Sequence, residues 1–252
     1  TIMAKETFPG GMYLSAGPPG RSLRSTPHNG GELIIVVGEH HRTGQGPPTG
    51  DYYRHLLQFA EDTFTVTGIP FRWSAQDYIT VDEVPYAGRI DQRNDNVYVA
   101  TGFRKWGITN GVVSALLIRD LIVNGESPWK PVYDPTRFTV DPTMKKSVSM
   151  GIKIAKEAAT GKLEAIPPAK DPAIGKATVI KREKEKIGIY RDKADQIHTV
   201  GITCTHLGCE LTWNEAELSW DCPCHGSRYS CDGNILEGPT LKPLRTATNK
   251  DD

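Results

Sequence analysis

The residues best able to do chemistry lie near the C-terminus. All five cysteines of this 252-residue chain, Cys204, Cys209, Cys222, Cys224 and Cys231, fall within 28 residues. A disulfide scaffold spreads its cysteines along the whole domain, so clustering of this kind points to a metal site. The local text is Cys204-Thr-His206-Leu-Gly-Cys209, then twelve residues, then Cys222-Pro-Cys224-His225. Two Cys/His pairs, spaced Cys-x-His and Cys-x-x-His, therefore face each other across a short connection. A further cysteine sits in each segment. Zinc could be bound by four of these six groups, but two thiols would be left over. Zinc spacings also run Cys-x2-4-Cys more often than Cys-x-His.

Short strands are expected to carry these segments. Ile187–Tyr190, Gln196–Ile202, Leu211–Trp213 and Leu218–Trp220 are brief runs rich in β-branched and aromatic residues, separated by turn chemistry. Residues 181–186 alternate in charge and read as a solvated strand edge. Upstream, Glu32–Val37 reads as a buried strand, Tyr52–Glu61 as an amphipathic helix and Val97–Thr101 as a strand. That last strand runs into the glycine loop Gly102 to Gly111, followed by a helix through Val123. A strand, a glycine loop and a helix in succession aim backbone N–H groups and a positive dipole end at an anion. The run Val112–Val123 is cut by Arg119 and Asp120 and reads as amphipathic, and no apolar run approaches the ~18 residues of a membrane helix.

Composition bounds the rest. Lys plus Arg equals Asp plus Glu at 30 each, which leaves no basic excess for nucleic acid or anionic lipid. With 25 Gly, 18 Pro and 24% charged residues, the chain is loop-rich and globular rather than disordered. The first residues show no charged-then-apolar leader pattern, and the expected compartment is the cytoplasm. Residues 124–147 carry four X-Pro breaks, 148–160 read as a short helix, and 166–172 hold a second breaker.

The cysteine-histidine segments resemble those of the Rieske iron–sulfur proteins. The resemblance implies a [2Fe–2S] cluster with Cys204 and Cys222 on one iron and His206 and His225 on the other. It also implies a Cys209–Cys224 disulfide, the mark of the subgroup found in cytochrome bc complexes. Ser227 and Tyr229 fall where that subgroup donates hydroxyl hydrogen bonds that tune the cluster potential. Cys231 lies outside the pattern and reads as a spare thiol.

The first half resembles the C-terminal portion of FAD-dependent oxidoreductases of the D-amino-acid oxidase/glycine oxidase group. The matching pieces are Pro9–Tyr13, Arg21–Ser25, Glu32–Gly38, Val84–Arg89 and Tyr98 onward. The resemblance places Gly102, Phe103, Lys105, Trp106, Gly107, Ile108 and Thr109 near flavin, and Arg72 about where a substrate carboxylate is held. Trp73 follows where proline is usual. The Gly-x-Gly-x-x-Gly fingerprint of such flavoproteins is not found; Gly44-Gln-Gly46-Pro-Pro cannot replace it.

The expected architecture is an α+β N-terminal portion, residues 1–123, belonging to a flavin amine-oxidase-like fold. A Pro-rich linker with a short helix follows at 124–171, and a small all-β Rieske domain at 172–252. The expected function is electron transfer through the cluster, in a flavin-dependent oxidoreductase acting on an amine or amino-acid-like substrate, with FAD held by the intact protein. The partner is the parent's flavin or a redox protein. The alternative is a non-enzymatic Rieske carrier whose first half is a docking scaffold, and bound flavin in a longer chain would discriminate the two.

Overall fold

The computed structural model describes residues 1–91, 93–137, 171–182 and 185–246. Their contacts form two compact units. One combines Thr1–Ser74 with the described residues from 171 onward; the other holds Ala75 to Arg137. This grouping differs from the sequence division at 123 and 171, because the first seventy-odd residues pack with the C-terminal strands.

In the amino-terminal part of the first unit, strands β1 (Met3–Ala4), β2 (Met12–Leu14), β3 (Arg21–His28) and β4 (Gly31–Gly38) precede helix α1 (Thr49–Glu61) and strand β5 (Val66–Gly68). Strands β3 and β4 pair antiparallel from Arg21↔Gly38 to His28↔Gly31, and β2 lines the other edge of β3. The apolar run of β4 buries Leu33 and Ile34. Ile34 joins Ile2, Phe8 and Ala60 of α1 in one core. Helix α1 begins directly after Pro47-Pro48, three residues before the sequence-based start at Tyr52. Pro48 is the residue before the first turn, extended at ψ 132°, and Thr49 begins the helix.

The second unit is a β-hairpin with a helix against it. Strands β6 (Tyr86–Arg89) and β7 (Tyr98–Thr101) pair antiparallel, followed by α2 (Gly107–Val123) and α3 (Lys130–Tyr133). Leu117 and Leu121 of α2 pack on Ala87. The expected amphipathic character of α2 is not obtained, because Ile108, Val112, Leu116, Ile122 and Val123 are exposed opposite the packed face. Arg119 and Asp120 pair with each other and do not define a polar face. By length and composition alone, residues Gly107–Asn124 are long and apolar enough to cross a membrane, contrary to the sequence reading. The same pattern suits a helix packed between two layers of protein.

Residues 124–137, read from sequence as the start of the linker, fold back onto this unit. Arg137 pairs with Asp82 at 2.8 Å, donates to the Val84 carbonyl at 2.6 Å and lies 4.3 Å over the Tyr86 ring. That contact holds the Asp82 carboxyl down to about 2, chiefly through the Arg137 hydrogen bonds. The sequence-based helix at 148–160 and the breaker up to residue 170 lie outside the described residues.

The C-terminal part is all-β. Strands β8 (Ala177–Arg182), β9 (Glu185–Arg191) and β10 (Ile197–Gly201) form one antiparallel sheet in the order β10-β9-β8. Strands β11 (Thr212–Asn214), β12 (Ser219–Asp221), β13 (Arg228–Ser230) and β14 (Ile235–Glu237) form a second, in sequence order. Ile189, Val200, Ile202, Leu211, Trp220 and Tyr229 are buried among these strands. All four sequence-based strands appear, shifted by a residue or two. One detail of the charged run differs: Lys186 is not solvated but ion-paired with Glu210 at 2.8 Å.

Candidate metal centre

Two loops bring the cysteines and histidines together, and they are built alike. The first follows β10: the Cys204 N–H donates to the Cys209 carbonyl at 2.8 Å, and the Gly208 N–H to the Cys204 carbonyl at 2.9 Å. The second follows β12: the Cys222 N–H donates to the Ser227 carbonyl at 2.8 Å, and the Gly226 N–H to the Cys222 carbonyl at 3.0 Å. Each loop is thus closed by the same pair of bonds, five residues and four residues apart. Closing the chain so tightly needs a left-handed residue at the fifth position, and Gly208 and Gly226 supply it at φ 75° and 80°. Sequence reasoning missed both glycines, although the repeated Cys-x-x-x-Gly was visible. Gly208→Ala meets no neighbour, so only backbone strain is added. It is expected to cost about 1–2 kcal/mol, read as a lower thermal midpoint. An unchanged midpoint would contradict this account of the loop.

Between the loops, Cys209 and Cys224 form the expected disulfide. Cys204 and Cys222 remain free thiols, buried at 2% and 1% exposure. They interact with each other: a hydrogen bond from Cys222 is the main reason the Cys204 thiol titrates far below its ordinary value, and Cys222 is pushed up in turn. The thiolate is the form of cysteine that binds metal.

The two histidines complete the set. His206 and His225 lie with ring centroids 5.0 Å apart and planes near perpendicular. Each has a buried Nδ1 atom with no hydrogen-bond partner among the described residues. A buried ring nitrogen left without a partner carries a desolvation cost unless something binds it. The donor set is thus two free buried thiols and two unpartnered imidazole nitrogens, with the other two thiols removed by their disulfide. This fits a cluster held by two cysteines and two histidines. The Cys209–Cys224 bond excludes four-thiolate zinc, whereas a two-cysteine, two-histidine zinc site would use the same four donors.

Polar groups from β13 and the last loop back the thiols. Ser227 and Tyr229 are fully buried. The Tyr229 hydroxyl lies 3.4 Å from Cys204 Sγ and 3.0 Å from Thr205 Oγ1. Ser227 also contributes a hydrogen bond that helps hold the Cys204 thiol down. Thr205, which sequence reasoning passed over, ties this cage to the closing loop through Thr240 Oγ1 and the Lys242 carbonyl, both at 2.6 Å. Nothing in the local text around Thr205 or Thr240 marks them, since they meet only in the folded chain. Leu207, 67% exposed, marks the solvent side of the site.

The remaining candidates lie elsewhere. Cys231 is a half-buried free thiol 3.8 Å from Asp232, in a small group with His198. Arg72 is exposed, with its guanidinium 5.3 Å over the Tyr53 ring. Gly102 to Trp106 form the turn between β7 and α2, and Gly107, Ile108 and Thr109 open the helix; Gly102 is buried, and Lys105, Trp106, Gly107, Ile108 and Thr109 are exposed. The start of α2 has no side-chain cap, so its first N–H groups are open to an oxygen acceptor.

Comparison with known proteins places both halves. Residues 162–248 match the Rieske [2Fe-2S] domain family, and residues 3–121 match the FAD dependent oxidoreductase family. YhfW of Bacillus subtilis, named as a Rieske 2Fe-2S iron-sulfur protein, is 43% identical over 248 residues, covering 97% of this chain and 48% of that protein. The cytochrome b6-f complex iron-sulfur subunit of Chlorobaculum tepidum is 35% identical over 114 residues, covering 45% of this chain and 56% of the subunit. The chain therefore spans about half the length of the curated relatives it matches. Among solved structures, the Synechocystis plasma membrane Rieske protein PetC3 is 32% identical, covers 28% of this chain and 72% of its own, and aligns with a TM-score of 0.27.

Proposed function

We propose that this chain, in which a Rieske [2Fe–2S] domain follows part of an FAD-dependent oxidoreductase, passes electrons singly out of a flavin enzyme that oxidises an amine or amino-acid-like substrate. The observation that carries the reading is the pair of partnerless, buried Nδ1 atoms of His206 and His225 beside the free buried thiols of Cys204 and Cys222. A cluster held by these four residues supplies reversible one-electron transfer.

The choice of ligands sets its potential by charge. A core of charge +2 on four thiolates is an anion of charge −2, whereas two thiolates and two neutral imidazoles leave it neutral. An electron enters a neutral site more readily, which is why such centres span about −150 to +300 mV against about −400 mV for all-cysteine relatives. His206 and His225 also provide ring protons at the exposed side, so electron loss can be coupled to proton loss. The hydroxyls of Ser227 and Tyr229, beside the Cys204 sulfur, would stabilise the negative charge that reduction adds. Ser227→Ala and Tyr229→Phe are each expected to lower the potential by tens of millivolts. The bound is roughly 65–130 mV, from about 1.5–3 kcal/mol for a hydrogen bond to a charged group. Protein-film voltammetry with neither variant shifted would remove the tuning role.

The flavin half of the reading is supported by the family match over 3–121 and by the uncapped start of α2, where Gly102 to Thr109 would face the flavin. Arg72 would hold the substrate carboxylate. Two measurements test the function. Iron and acid-labile sulfide should each reach about two per chain after anaerobic purification. In the longer protein, substrate should bleach bound flavin and then reduce the cluster. A cluster that forms in a protein with no flavin would favour the carrier reading instead.

A further inference from the structure

The loop before α1 and the first turns of α1 touch the cluster domain through a chain of polar contacts that neither half explains alone. Gln45 Nε2 donates to the Pro223 carbonyl, inside the second cluster loop, at 3.2 Å. Thr212 Oγ1 donates to the Gly44 carbonyl at 3.2 Å. Thr49 Oγ1 donates to Asn214 Oδ1 at 2.7 Å and accepts from the Ala216 N–H at 3.2 Å. Tyr53 donates its hydroxyl proton to Glu217. Gly44 runs so close to the loop that an added Cβ would lie 2.8 Å from the Pro223 nitrogen.

These contacts do not stop at the surface. Asn214 Nδ2 donates to Asp221 Oδ2 at 2.7 Å, and Asp221 accepts from Arg228 Nε at 3.1 Å. Asn214, Asp221 and Arg228 are all buried. Asp221 immediately precedes the ligand Cys222, and Arg228 lies between Ser227 and Tyr229. The outer end of a buried polar network under the cluster loops is therefore the surface that α1 grips.

We infer that residues 44–53 form a latch that locks the cluster domain onto the amino-terminal sheet, with Thr49 and Tyr53 as positioning residues. The latch makes the cluster a fixed relay at one distance from the amino-terminal sheet. His206, His225 and Leu207 stay outside the latched contacts, so the relay keeps its open side for a redox partner. The consequence for electron transfer rests on the function proposed above; the latch itself does not.

Thr49→Val/Tyr53→Phe removes both hydroxyls and keeps the side-chain volumes. In this chain carrying its cluster, the double variant is expected to raise amide exchange of residues 212–218 by about tenfold or more. The EPR g-values and potential of the cluster should stay unchanged. Thr49→Ser, which keeps the hydroxyl, should restore most of the protection. A nitroxide at Glu61→Cys, in a Cys231→Ser background, reports position by its dipolar coupling to the reduced cluster. A single narrow distance is expected, broadened by the double variant. Exchange already unprotected in the parent chain, or unchanged in the double variant, would overturn the latch, as would a broad distance in the parent. If no reduced-cluster signal arises, the proposed metal centre fails, and the exchange measurement still decides the latch.

Discussion

Replacing either His206 or His225 with alanine should empty the centre and leave the fold standing. Both rings would hold the metal through Nδ1 atoms that have no hydrogen-bond partner among the described residues, so their loss breaks no described hydrogen bond of those atoms. The surrounding strands, the disulfide and the loop-closing backbone bonds do not depend on them. Iron should fall from about two per chain towards zero, with far-ultraviolet circular dichroism retained. Cys204→Ser and Cys222→Ser should do the same to iron. Cys231→Ser should not, because that thiol sits with Asp232 and His198 outside the loops. Full iron content in either histidine variant would show that another group ligates.

The second large effect is on stability. Arg228 is a buried cation, 6% exposed, held by Asp221 at 3.1 Å, Glu237 at 3.6 Å and Glu217 at 4.0 Å. Ser219 Oγ accepts from its guanidinium at 3.2 Å and donates to Asp221 at 2.8 Å. Removing one partner of a buried pair leaves an uncompensated charge at a cost of about 3–5 kcal/mol. Arg228→Met should therefore remove a large share of the 5–15 kcal/mol typical of a folded domain, given as an order of magnitude. Neutralising the orphan in Arg228→Met/Asp221→Asn should recover much of the loss. Urea unfolding is the measurement, and a single variant within about 1 kcal/mol of the parent would mean that water reaches the pair.

How much of this was legible in the sequence follows from where each partner lies along the chain. The six metal-site candidates were legible because the residues of each loop are neighbours in sequence, and the resemblance to Rieske proteins, rather than spacing, divided them into ligands and a disulfide. The Cys-x-x-x-Gly repeat was equally local and was overlooked. The Arg228–Asp221–Asn214 network was not legible, since its members look like ordinary strand and turn residues until β11, β12 and β13 pair. The latch was further out of reach: Thr49 and Asn214 are separated by 165 residues. Helix α2 misled for a different reason. Arg119 and Asp120 interrupt the apolar run in sequence, but adjacent residues on a helix point about 100° apart, and the two satisfy each other. The strand positions were legible from their β-branched and aromatic runs, and only their ends moved.

The central claim is that Cys204, Cys222, His206 and His225 hold a cluster of mixed ligation. EPR of protein purified without oxygen, recorded before and after ascorbate, tests it most directly. A rhombic signal with an average g below that of all-cysteine clusters, appearing on ascorbate addition, is the result expected from two thiolates and two imidazoles. A colourless, EPR-silent protein containing zinc would contradict it.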